Sequence, residues 1–313
     1  MAGRHVNSFV MFNRRCRPEQ ECFVSPACRA IALGEACFET FRLYKNDRVS
    51  GFEAHLNRLR RGASELGFDA DRHHPAFDFS PGQVARELLY LKKKCGGIAQ
   101  KSAAATPVKR RDFRVRIQIG RADTSGIYDD APESRAFFSL IRMVTAGPPG
   151  APVRLWTSRA RRIPRQTQRQ DVKWSFYQPN VQALRQAREH RADDALMLDG
   201  HGNISASATA NVFFFYKDAL LTPPPEADAL TGITRAQVIA AAEANGQPVR
   251  WQHITPEQAR AAEAGFITSS VRGISPIQAI DGHALSVNHS GLHQVIKVFN
   301  AYINRTAASL ADL

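Results

Sequence analysis

A lysine that stands where a polar segment gives way to an amphipathic helix is the residue of this chain best placed for covalent chemistry. In residues 171–199, DVKWSFYQPNVQALRQAREHRADDALMLD, Lys173 precedes a run in which Val181, Leu184 and Ala187 recur at helical spacing, with Arg185, Arg188 and Glu189 on the other face. An amine at such a mouth can serve as a Schiff-base nucleophile. On its own, a lysine is more ordinarily a solvated surface charge. The element behind it is a short buried strand at 195–198, closed by the turn Asp199-Gly200-His201-Gly202-Asn203.

The rest of the chain must supply the frame for that amine. Its 313 residues suffice for two domains with a sizeable core, and 43% apolar with 23% charged residues is the balance of a soluble globular protein. Apolar runs such as 211–216 are far too short to cross a bilayer, and the N-terminus lacks the apolar core of a secretory signal. Residues 1–17 are basic and acid-free, which also fits a transit peptide. The net charge of +13 is scattered, densest at 92–94, 109–111 and 159–169, and no nucleic-acid module signature accompanies it. We read it as a basic surface suited to a small anionic substrate, with no nucleic-acid or membrane partner. Five cysteines without a CxxC pair predict reduced thiols, a cytoplasmic setting and no metal centre.

Along the chain, residues 1–28 read as irregular and 37–44 as a strand. Asn46-Asp47 makes a turn, and helices follow at 51–68 and 81–95. Residues 96–111 read as a surface loop or insertion, 113–120 as an alternating half-buried strand and 135–144 as another. TAGPPGAPV at 145–153 is a Pro/Gly linker and marks a domain boundary. Beyond it, strands are predicted near 195–198, 211–216, 249–253, 265–269 and 276–280, and helices near 179–190, 234–245, 256–263 and 290–303. No glycine-rich nucleotide fingerprint is present.

Six stretches in this order together resemble the fold type IV family of pyridoxal-phosphate enzymes. They are GEACFETFRLY (34–44), EAHLNRLRRGASELGF (53–68), the 171–199 segment, GNISASATANVFFF (202–215), LTGITRAQVIAAAEANG (230–246) and AGFITSSVRGISPIQAIDG (264–282). That family contains branched-chain and D-amino acid aminotransferases and 4-amino-4-deoxychorismate lyase. The resemblance implies an α/β, two-domain, D-amino acid aminotransferase-like architecture: a smaller N-terminal domain at 1–147, a larger C-terminal one at 148–313 and pyridoxal 5'-phosphate in the cleft between them. It also implies a homodimer.

Carried over residue by residue, the resemblance makes Lys173 the lysine that bonds to the cofactor and moves the substrate's Cα proton. Arg58 matches the arginine of the cofactor phosphate, a role that suits a guanidinium fork on a helix. Gly232, Ile233 and Thr234 open a helix whose free N–H groups and hydroxyl suit the same phosphate, and Ser269 and Ser270 supply further hydroxyls. Tyr177 falls where the ring's phenolic oxygen is bonded. The ordinary alternatives are an exposed helical arginine, a plain helix cap and a helix-start aromatic. One departure stands out: Ala206 occupies the position of the glutamate that keeps the pyridine nitrogen protonated.

Within the family, TSSVRGISPI at 268–277 is closer to the lyase pattern than to the branched-chain aminotransferase loop. Arg272 on that loop, with Arg116 and Arg121 from the first domain, are the candidate ligands of a substrate carboxylate. The expected activity is therefore an aminodeoxychorismate-lyase-like release of pyruvate and 4-aminobenzoate. The alternatives are a class IV aminotransferase of branched-chain or D-amino acid type and, because of Ala206, a non-catalytic or cofactor-free member.

Overall fold

The computed structural model describes residues 9–68, 78–99 (backbone alone for 96–99), 111–126, 135–217 and 219–313. The chain divides into two compact units. The first comprises Met1–Ala146, Val172–Phe176 and Ala307–Leu313, and the second Gly147–Asp171 and Tyr177–Thr306.

In the first unit, β1 (Phe9–Phe12), β2 (Arg15–Pro18), β3 (Ala36–Leu43), β4 (Arg48–Val49), β5 (Phe113–Arg121), β6 (Phe137–Thr145) and β16 (Ala308–Ser309) form one sheet. Its order is β16-β4-β3-β5-β6-β1-β2, with antiparallel neighbours throughout. The alternation of β5 is what places it: Phe113, Val115, Ile117 and Ile119 are buried, while Arg114 is exposed between them. The helices are α1 (Arg29–Ala32), α2 (Phe52–Glu65) and α3 (Pro81–Ala99). Leu56, Leu59 and Ala63 of α2 meet Leu88 and Leu91 of α3 and the buried side chains of β3 and β5 in one core.

Two expectations change here. The N-terminal stretch is not irregular, because β1 and β2 form a hairpin on the edge of β6. Its turn residues Asn13 and Arg14 adopt φ of 46° and 63°, the backbone a two-residue hairpin needs. Four-residue strands without a glycine turn carry too little pattern to be read from sequence. The predicted loop also starts later, since α3 runs to Ala99; residues 100–110 lie outside the described residues.

In the second unit, β7 (Val153–Arg161), β8 (Asp194–Leu198), β9 (Ile204–Ser207), β10 (Asn211–Tyr216), β11 (Ala219–Thr222), β12 (Val249–Trp251), β13 (Ala264–Ser269), β14 (Gly273–Ile280) and β15 (His283–Ala284) form a mixed sheet. The order is β12-β11-β10-β13-β14-β7-β8-β9, with β15 on β14. Helices α4 (Gln178–Glu189), α5 (Ile233–Glu243), α6 (Pro256–Arg260) and α7 (Ser290–Thr306) complete it. Strands β7 and β8 are parallel and α4 is their crossover. Strands β7, β9 and β11 go beyond the sequence-based expectation; β7 alternates with arginines, and β9 is small and polar. The buried stripe of α4 also differs from expectation. Asn180, Ala183 and Ala187 face inward while Val181 is 38% exposed. The small alanines let α4 seat closely on Ala195 and Met197 of β8.

Candidate active site

In the first unit, Lys173 is fixed by β3. The Phe38 N–H donates to the Lys173 carbonyl at 2.8 Å, and the Ser175 N–H donates to the Ala36 carbonyl at 2.8 Å, so that Trp174 bridges Cys37 in antiparallel fashion. The Lys173 amine lies 4.8 Å from the centroid of the Phe38 ring, and the Arg116 guanidinium lies 3.6 Å from the same ring. Arg116 also donates from Nε and Nη2 to Gln118 Oε1, each at 3.1 Å.

Alternation along β3 puts Glu39 on the opposite face, among Cys37, Phe41 and Leu43. A carboxylate there requires partners, and α2 supplies them one turn apart. Arg58 donates to Glu39 from Nε at 2.5 Å and from Nη2 at 3.0 Å, and His55 Nδ1 lies 2.7 Å from Glu39 Oε2. Glu39 and His55 are fully buried, and Arg58 is 8% exposed. Burial alone would push the Glu39 carboxyl up; Arg58 and His55 outweigh it and hold it down to about 2. Burial lowers the pKa of His55 against the pull of Glu39, and the 2.7 Å contact with the carboxylate is one in which Nδ1–H donates. Glu39 and His55 are absent from the sequence-based site. The available signal was an acidic residue at an inward position of an alternating strand.

Arg121 is only 2% exposed. It donates to Asp123 from Nε at 2.9 Å and from Nη2 at 2.8 Å, with Glu35 at 3.6 Å from Nη1. This guanidinium holds the end of β5.

In the second unit, Gly232 is the N-cap of α5, and Ile233 and Thr234 are its first helical residues. No side chain caps this helix, so its first backbone N–H groups point out unsatisfied by the helix itself. The Thr234 and Ser270 hydroxyls are 2.9 Å apart, which joins the helix start to the turn after β13. Gly232 is required by close approach: a Cβ there would sit 1.9 Å from Asn211 Oδ1. Ser269 accepts from the Arg272 N–H at 3.2 Å and so shapes the same turn. Tyr177 is the N-cap of α4.

Arg272 places Nη1 3.5 Å from Asp194 Oδ2. Asp194 is fully buried and accepts from Thr209 and Ser207; burial pushes its carboxyl up. Ala206 is fully buried on β9, in register with Met197. Ser205 Oγ, Thr268 Oγ1 and Arg162 Nε are buried without a hydrogen-bond partner among the described residues.

Taken unit by unit, the side chains present have the chemistry that pyridoxal phosphate asks for. In the first unit the restrained amine of Lys173 suits an aldehyde, and in the second the α5 start with the Thr234 and Ser270 hydroxyls suits a phosphate. On β9, where the resemblance implies a carboxylate for the ring nitrogen, residues 205–207 offer hydroxyls and a methyl group and no carboxylate. Among the described residues no His/Cys/Asp/Glu group could hold a metal ion, and no helix is long and apolar enough to cross a membrane.

Known proteins resemble this chain in sequence and in fold. The family described as Amino-transferase class IV matches residues 36–280. D-alanine aminotransferase of Bacillus licheniformis is 26% identical over 286 residues, covering 90% of this chain and 92% of the relative. The structure of the branched-chain aminotransferase from the thermophilic archaeon Thermoproteus uzoniensis with norvaline superposes with a TM-score of 0.78 at 23% identity, covering 97% of this chain and 99% of that one. An aminotransferase from Brucella abortus bound to PLP gives 0.77 at 22% identity, covering 95% and 99%. The α/β fold is that of fold type IV, and the chain belongs to the class IV aminotransferase family.

Proposed function

We propose that this protein is a pyridoxal-phosphate-dependent aminotransferase acting on a small amino acid. The observation that carries the reading is the clamp on Lys173: two main-chain hydrogen bonds to β3 fix the backbone on either side of a single amine. That rigidity is what a residue needs if it is to bond a cofactor aldehyde and then carry a proton at one substrate carbon. When bound, pyridoxal phosphate supplies the electron sink for a carbanion at the substrate's Cα.

The chain's own residues take the remaining roles. Lys173 removes and returns the Cα proton. Tyr177 donates to the ring's phenolic oxygen. Arg58, the N–H groups of Gly232, Ile233 and Thr234, and the hydroxyls of Thr234, Ser269 and Ser270 hold the phosphate. Arg272 and Arg116 bind the substrate carboxylate. Arg121, with its guanidinium committed to Asp123 and Glu35, holds the strand end that follows Arg116. The homodimer and the cytoplasmic setting belong to the same reading.

A second reading, the lyase that releases pyruvate and 4-aminobenzoate, is favoured by one observation. The β13–β14 turn is TSSVRG, with Arg272 at its end beside Asp194. The relationship to the D-alanine aminotransferase, which spans nine-tenths of both chains, supports the first reading.

The test begins with the visible spectrum of the purified protein, borohydride reduction and mapping of the modified lysine, expected at Lys173. A colourless protein that takes up no added cofactor would overturn both enzymatic readings and leave the non-catalytic one. With cofactor present, formation of a 2-oxo acid from amino acids supports the aminotransferase, and pyruvate from aminodeoxychorismate supports the lyase.

A further inference from the structure

Five arginines are buried among the described residues, and four of them face a carboxylate: Arg29 with Glu35, Arg42 with Asp112, Arg58 with Glu39, and Arg121 with Asp123. The fifth, Arg235, is 4% exposed and has neither an ion pair nor a hydrogen bond among the described residues. Its guanidinium lies 5.1 Å from the centroid of the Trp251 ring, a contact that holds a cation without neutralising it. Burial pushes Arg235 down to about 10, with no carboxylate among the described residues to offset it. An unpaired buried charge is costly to fold around unless something else compensates it.

Its position indicates what that is. Arg235 follows Thr234 directly in the first turn of α5, and a Cβ on Gly232 would lie 3.2 Å from the Arg235 Cβ. The N-terminal end of α5 already favours an anion. Arg58, the other arginine assigned to the phosphate, is neutralised by Glu39 and so brings hydrogen bonds without net charge.

We propose that Arg235 is the uncompensated countercharge for a phosphate dianion seated on the first turn of α5, acting through space and not by contact. This rests on the phosphate-binding reading of Gly232–Thr234 above.

The experiment uses the full chain with Arg235→Met and Arg235→Lys, and inorganic phosphate, pyridoxal 5'-phosphate and pyridoxal as probes. In Arg235→Met, affinity for both phosphate-bearing probes should fall by about tenfold or more while pyridoxal is unaffected. Without ligand, that variant should melt at or above the wild-type temperature, since an unpaired charge has been removed. Arg235→Lys should retain phosphate affinity within about threefold. Wild-type phosphate affinity in Arg235→Met, or a lower melting temperature with the phosphate-induced shift intact, would overturn the proposal. If the methionine variant fails to fold, a lysine variant that loses phosphate binding does the same. Wild-type protein that binds inorganic phosphate but traps no cofactor on Lys173 removes the enzymatic reading and leaves this test running.

Discussion

The Phe38 amide donates to the Lys173 carbonyl at 2.8 Å, and the Phe38 side chain lies beside the Lys173 amine, 4.8 Å from ring centroid to nitrogen. One residue of β3 therefore sets both the backbone and the side-chain surroundings of the lysine. Its neighbour Glu39, on the other face, secures Arg58. Two successive residues of one strand thus set the surroundings of two candidate cofactor groups, Phe38 for Lys173 and Glu39 for Arg58.

Removing the charge of Glu39 should be severe. Glu39→Gln keeps the shape but leaves the buried Arg58 guanidinium without its counter-ion, at an expected cost of about 3–5 kcal/mol. Urea unfolding monitored by fluorescence measures it, and a change below about 1 kcal/mol would show that the ion pair is dispensable.

The same cluster sets an acid limit on stability. The folded pKa of His55 lies below its unfolded value, so the folded form binds fewer protons there, and stability falls as pH drops below about 6.5. The Glu39 carboxyl, held to about 2 against an unfolded value near 4.5, contributes stability that is present above about pH 4.5 and lost on further acidification toward 2. Melting temperatures between pH 4 and 8 should therefore decline on the acid side, and His55→Gln should flatten the part of the decline just below pH 6.5. An unchanged profile in that variant would assign the acid sensitivity to other groups.

Gly232→Ala drives a methyl group into Asn211, whose Nδ2 is already bound to the Leu230 carbonyl at 3.0 Å. An overpacking cost of about 1–3 kcal/mol is expected, together with a displaced helix start. Titration with inorganic phosphate should show weakened binding alongside the lower stability. Full phosphate affinity would mean that the α5 start does not hold the anion.

Ala206→Glu buries a carboxylate at a fully enclosed position. Without ligand the variant should be destabilised by a few kcal/mol, and added pyridoxal phosphate should recover part of the loss if the new group meets the ring nitrogen. Transamination should then rise above the wild-type rate. Destabilisation with no recovery on cofactor addition would place the ring nitrogen away from Ala206.

Much of this protein was legible from residue order alone. The long alternation of 113–120 and the amphipathic spacing of 53–66 determine their elements, because period two and period 3.6 admit few other solutions over that length. Lys173, Arg58 and the GIT of α5 could be named as candidates because six segments in order resemble the fold type IV family; each segment alone would have been read as a surface lysine, an exposed helical arginine or a plain helix cap. The tertiary structure decided what those segments could not contain. Glu39 and His55 are sixteen positions apart, and only the packing of α2 on β3 makes them a buried pair. Val181 completes a helical stripe in sequence, yet the alanine face of α4 is the one that packs, since contact with β8 demands small side chains. Arg235 reads as any helical arginine until burial shows that, unlike the other four buried arginines, it has no carboxylate among the described residues. Periodicity is a property of neighbours in the chain. Charge compensation is a property of neighbours in space.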